Sequence, residues 1–176
     1  MHAWVVLSPG RIISHSGRIP QSLPSSGGAG YVRGAVSTAD LALVENVARL
    51  ALFCDLNYTE IEEMLPMVEE VLYHEGQWVV RRGEVDVGLN IIVDGEVSVV
   101  LEGDELATLS KGSFFGEISA LLGEPTVADV IARTPLQCLF IKPDEVETFL
   151  IENPKVLYRM LQAEARRLRT TDELRI

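Results

Sequence analysis

Residues 88–101 read Gly88-Leu-Asn-Ile-Ile-Val-Asp-Gly-Glu-Val-Ser-Val-Val-Leu101, two short β-rich runs divided by Asp94-Gly95. Asp-Gly is a preferred pair for a two-residue hairpin turn, because both central positions take left-handed backbone. The segment therefore predicts a strand over Gly88 to Val93, a hairpin turn, and a strand over Glu96 to Leu101. Four further runs have the same character: Gln77 to Arg81, Glu105 to Leu109, Val127 to Arg133 and Leu136 to Ile141, each bounded by Gly, Asp or Pro. Gly103-Asp104 supplies a second turn. Several short strands at near-regular spacing between Val71 and Lys142 predict a mainly β fold, a jelly-roll barrel.

Helices flank this region. Ser37 or Thr38 can cap a first helix in which Leu41, Val44, Val47, Ala48, Ala51 and Leu52 recur at helical spacing. Asn57 followed by Glu60 is close to a capping box, with Ile61, Met64 and Leu65 as the apolar stripe and Pro66 limiting the helix. Pro143 opens a helix through Leu150, and Asn153-Pro154 starts the last one. On that last helix Leu157, Leu161, Ala165 and Leu168 form one stripe, predicted to pack on the barrel or on a second copy. Residues 1–36 differ from all of this. They contain Pro24-Ser-Ser-Gly-Gly-Ala-Gly30 and no acid, the composition of a flexible tail or leader, and also that of an organellar transit peptide. Residues 37–176 are then one domain.

Charge narrows the partners. The net charge is −11, and taking away the three positive charges of the tail (Arg11, Arg18, Arg33) leaves −14 on the rest. Such a body repels duplex nucleic acid and anionic membrane. Arg159, Arg166, Arg167 and Arg169 on the last helix read as a solvated face. Cys54 and Cys138, each among apolar residues and without metal-type spacing, read as buried reduced thiols of a cytoplasmic protein. No apolar run approaches the ~18 residues of a membrane span. The three histidines are His2, His15 and His74, too scattered to hold a metal or activate a thiol, so no catalytic, metal or cofactor site is expected.

One stretch breaks the strand pattern. Gly112-Ser-Phe-Phe-Gly-Glu-Ile-Ser-Ala-Leu-Leu-Gly123 places Ile118, Leu121 and Leu122 at helical spacing, which predicts a short helix inside the β region. A glycine entry into a helix leaves backbone N–H groups free for an anion, and Glu117 beside them suits a carboxylate that accepts from a sugar hydroxyl.

The run FGEISALLGEPTVADV from Phe115 to Val130 resembles the phosphate-binding cassette of cyclic nucleotide-binding domains. The resemblance extends over Leu52 to Arg169 and includes LFCDLNYTEIEEML, the Gly76 and Gly83 turns, and NIIVDGEVSVV. It implies cAMP or cGMP as ligand, with Gly116 and Ser119 presenting backbone groups to the phosphate and Glu117 taking the ribose 2′-hydroxyl. Ile118, Thr126 and Val127 complete the implied contact set. The family's last helix often acts as a lid, for which Leu157, Met160 and Leu161 are the candidates here. The sequence departs from the pattern where the family carries a phosphate-pairing arginine: Pro125-Thr126-Val127-Ala128-Asp129 has Thr126 there, and Asp129 sets a carboxylate nearby. Arg81, Arg82 and Arg133 are the candidates for a displaced phosphate contact, and each also reads as an exposed strand or turn residue. Two functions follow. One is a sensor that docks a cyclic nucleotide or related phosphorylated ligand and signals to a protein partner through the last helix. The other is a ligand-independent scaffold or self-association module that keeps the cassette as a packing corner.

Overall fold

A computed structural model describes residues 31–35 and 41–173, and the side chains of residues 42–170. The strands are β1 (Tyr31–Ala35), β2 (Glu69–Tyr73), β3 (Trp78–Val80), β4 (Leu89–Asp94), β5 (Glu96–Leu101), β6 (Asp104–Ser110), β7 (Phe114–Phe115), β8 (Asp129–Ala132) and β9 (Leu136–Ile141). The helices are α1 (Leu41–Ala48), α2 (Tyr58–Met64), α3 (Glu117–Leu122), α4 (Val146–Glu152) and α5 (Pro154–Glu173). The strands form two antiparallel sheets, in the orders β1-β2-β9-β4-β7 and β3-β8-β5-β6. The jelly roll is thus a two-sheet sandwich with helices on one side, and not a closed barrel.

Alternation along the strands builds two cores. Ile92, Phe115 and Cys138 face the second sheet and meet Val80, Val97, Val99, Leu109 and Val130. Leu89, Ile91, Phe114, Leu139 and Ile141 face the other way, toward Val47, Phe53, Ile61, Phe149, Val156 and Met160. The first sheet is therefore covered on both faces, which is why β4 is buried at every position but Asp94 instead of alternating.

The Asp94-Gly95 expectation requires correction. Gly95 has the left-handed φ of 90°, but β4 and β5 belong to different sheets, so the dipeptide turns a sandwich corner and closes no hairpin. A Cβ at Gly95 would lie 2.3 Å from the Pro135 carbonyl, the close approach that forces glycine there. The second turn does close a hairpin. Leu101 pairs with Asp104 across Glu102 (φ 56°) and Gly103 (φ 94°), both left-handed as a type I′ turn requires.

Three strands escaped the sequence pattern: β1, β2 and β7. The first lies within the expected tail of residues 1–36, pairing Tyr31 to Leu72 and Ala35 to Glu69. Residues 1–30 and 36, like Ser37 and Thr38, fall outside the described residues.

At α2 the expected cap is present in full. The Glu60 N–H donates to Asn57 Oδ1 at 3.0 Å and the Asn57 N–H donates to Glu60 Oε2 at 2.8 Å. Replacing Asn57 by alanine is expected to cost about 1 kcal/mol. Thermal unfolding should register this as a fall of about 2–4 °C in midpoint, and an unchanged midpoint would mean the cap is redundant.

On α5 the expected stripe does not pack on the barrel, which leaves a second copy as its remaining expected partner. Val156, Met160 and Arg167 are buried, whereas Leu157, Leu161 and Leu168 are exposed. Cys54 is likewise exposed, contrary to expectation, while Cys138 is buried and its thiol is pushed up to about 12 by desolvation, which keeps it unreactive. Among the described residues no helix is long and apolar enough to cross a membrane.

Candidate functional site

The pocket forms where β7 turns into α3. Phe114 and Phe115 pair with Ile91 and Asn90 of β4, and their rings enter the two separate cores. The chain then leaves the sheet at Gly116, whose φ of 86° is left-handed and whose Cβ, if present, would stand 2.3 Å from the Gly88 carbonyl. Only glycine satisfies both conditions. This close approach places Glu117, the first residue of α3, inside the protein at 6% exposure, with Ser119 at 4%.

The walls are apolar strand residues, Val80, Val99, Leu109 and Val130, opposite Gly116 to Ser119 and the loop Pro125 to Ala128. The space between them, including the solvent at the open mouth, is about 670 Å³. All six residues implied by the resemblance, Gly116, Glu117, Ile118, Ser119, Thr126 and Val127, line this one pocket. Ser119 Oγ is buried with no hydrogen-bond partner, an arrangement that costs energy unless a ligand or water completes it.

A residue that sequence reasoning set aside dominates the electrostatics. Arg167, read as part of a solvated face, is 3% exposed and reaches from α5 into the pocket. Its Nη1 donates to Glu117 Oε1 at 3.0 Å and to Glu164 Oε1 at 2.7 Å, while Nη2 donates to the Phe114 carbonyl at 2.8 Å. The guanidinium also lies 4.2 Å from the centroid of the Phe114 ring. A solvated face fails for a packing reason. Val156, Met160, Ala163 and Arg167 follow one another by four, three and four residues, so Arg167 lies on the stripe that meets the core. That register was the available signal.

Two carboxylates share this guanidinium. Burial pushes the Glu117 carboxyl up to about 7; Arg167 opposes the rise and Glu164 adds to it. Burial raises Glu164 as well, against the pull of Arg167.

The cassette loop differs from expectation at two further points. Asp129 does not face the pocket: its carboxylate accepts from the Arg82 N–H at 2.8 Å and lies outside the lining. Thr126 does line it, but its hydroxyl donates to the Arg81 carbonyl at 2.6 Å. The three arginines considered as displaced phosphate contacts are elsewhere. Arg81 stacks over Trp78 at 4.9 Å, Arg82 pairs with Glu102 at 3.1 Å, and Arg133 pairs with Glu105 at 3.3 Å. Of the lid candidates, Met160 is buried in the core and Leu157 and Leu161 are exposed, while Arg167 is the α5 residue that lines the pocket.

A two-sheet jelly roll with a glycine-led cassette helix, a buried carboxylate and a covering C-terminal helix defines a class of ligand-receiving regulatory domain. Comparison with known proteins gives the family: residues 70–153 match the model of the cyclic nucleotide-binding domain, and this chain carries a domain of that family. Over 93 residues, 53% of this chain, it is 32% identical to a cGMP-dependent protein kinase of Plasmodium berghei (strain Anka). The chain spans 11% of that kinase's length, about a tenth. In structure it is similar to the catabolite activator protein of Thermus thermophilus, with TM-score 0.62 and 27% identity over 69% of this chain and 60% of that one. It is also similar to a cyclic nucleotide-binding domain from Methylobacillus flagellatus KT, with TM-score 0.68 and 23% identity over 81% of this chain and 85% of that one. The second likeness speaks to the fold alone.

Proposed function

We propose that the chain is a regulatory module, and not an enzyme, that receives a ligand of the nucleotide class in the cassette pocket and reports its occupancy through α5. The observation that carries this is the Glu117–Arg167 pair, which ties the carboxylate that the resemblance makes the ribose contact directly to the C-terminal helix at 3.0 Å. A ligand hydroxyl that donates to Glu117 changes what Arg167 holds. Because Arg167 also braces Glu164 and the Phe114 carbonyl, that change moves the anchoring of α5 as a unit. The proposed contacts are Gly116, Glu117, Ile118, Ser119, Thr126 and Val127, and the output surface is the exposed face of α5 with Leu157, Leu161 and Leu168. That surface suits a cytoplasmic protein partner or self-association, and the acidic body disfavours nucleic acid and membrane.

The test is hydrogen exchange over Pro154–Glu173, with and without millimolar cAMP, cGMP, adenosine or guanosine. We expect a change in α5 protection that Glu117→Gln abolishes. Exchange in α5 that is indifferent to every nucleotide and nucleoside would instead favour the ligand-independent scaffold.

A further inference from the structure

We propose that this pocket selects an uncharged nucleoside over the corresponding cyclic nucleotide. The inference rests on the reading of the site as a nucleotide-class pocket and specifies which member of the class it takes.

The argument is a charge inventory of the walls. Among the residues lining the pocket, Arg167 carries the single positive charge and Glu117 the single negative one. The guanidinium of Arg167 is held by Glu117 and by a second carboxylate, Glu164, so the positive charge that faces the cavity is already more than balanced. At the position where the family pairs the phosphate with an arginine stands Thr126, and its one hydroxyl proton is given to the Arg81 carbonyl at 2.6 Å. Arg81, Arg82 and Arg133 are outside the lining and engaged elsewhere. The protein as a whole carries −11, which raises the cost of bringing in another anion. A phosphate entering here loses its hydration without gaining a charged partner.

An uncharged nucleoside meets none of these penalties and matches what remains. Its base suits the apolar strand wall of Val80, Val99, Leu109 and Val130. Its hydroxyls can donate to the Glu117 carboxylate. Ser119 Oγ, buried in this same wall and without a partner, supplies a polar atom that a neutral sugar or base can satisfy.

Calorimetric titration of the unmodified protein with adenosine, guanosine, cAMP and cGMP tests this directly. We expect the nucleosides to bind at least about tenfold more tightly than their cyclic phosphates, because desolvating the phosphate charge without a charged partner costs more than about 1.4 kcal/mol. Raising the ionic strength should strengthen the cyclic nucleotides and leave the nucleosides unaffected, because it screens repulsion. Thr126→Arg should reverse the ranking. Cyclic nucleotides that bind as tightly as nucleosides, or more tightly, in the unmodified protein overturn the inference while upholding the ligand-receiving reading. Binding of neither kind overturns both. The ranking in the unmodified protein stands even if Thr126→Arg does not fold.

Discussion

Arg167→Met is expected to destabilise the fold by about 3–5 kcal/mol at about pH 8, the usual cost of removing one partner from a buried ion pair. The variant leaves Glu117 at 6% exposure without the guanidinium that balances it, and the Phe114 carbonyl without its donor. Methionine keeps most of the apolar stem, so the loss reports the charge and its hydrogen bonds more than the packing.

The penalty has a definite pH dependence. In the native protein the Glu117 carboxyl is raised from 4.5 to about 7, chiefly by burial. The folded state therefore keeps a proton that the unfolded state has released between those values. For this group stability is greatest below the unfolded value and is lost as pH rises through the folded one. Removing Arg167 takes away the influence that lowers the Glu117 value, so the variant gains still more from protonation. Its deficit should shrink at about pH 5, and Glu117→Gln in the same background should recover much of the loss at about pH 8. Urea denaturation of the unmodified protein, Arg167→Met and the double variant at both pH values measures this. A deficit independent of pH would show that Arg167 acts through packing and not through Glu117.

Gly116→Ala is expected to cost about 2–5 kcal/mol, combining a left-handed residue at φ 86° with a clash that packed backbone cannot relax. The added Cβ would stand 2.3 Å from the Gly88 carbonyl and 3.2 Å from a Val87 methyl. The same position fixes the start of α3, so ligand binding should fall with stability. Gly123→Ala is the internal control. Gly123 is also left-handed, with φ 66°, but a Cβ there meets nothing within 4 Å, so its cost should be limited to the conformational strain. Equal losses for the two variants, read from denaturant midpoints, would refute the close-approach argument.

The strands that sequence pattern found and those it missed differ in one physical respect. Glu96–Leu101 and Leu136–Ile141 match the expected runs to the residue, because each is long enough to show its β-rich composition between clear breakers. Phe114–Phe115 has two residues, and no periodicity can be read from two. Glu69–Tyr73 opens with two acids, a residue type depleted in strands, so its β-rich run shrinks to Val71–Tyr73. The Asp94-Gly95 turn shows a different limit. The dipeptide marked a left-handed glycine correctly, but whether the chain returns to its own sheet or crosses to the other is decided by strand pairing, β4 with β9 and β5 with β6 and β8.

The sequence by itself determined the jelly-roll class, the capping box at Asn57 and Glu60, the cassette resemblance from Phe115 to Val130, and the absence of a cassette arginine at Thr126. These are local properties: turn chemistry, period and residue identity act over a few positions and are written in the chain. Tertiary structure alone decided the electrostatics of the pocket. That Asp129 turns away to the Arg82 amide, that Thr126 gives its proton to Arg81, and that Arg167 leaves solvent to join Glu117 fifty residues earlier all depend on pairings remote in sequence. A charged side chain takes its partner from whichever element packs against it, and only the folded arrangement of α5 over the cassette supplies that partner.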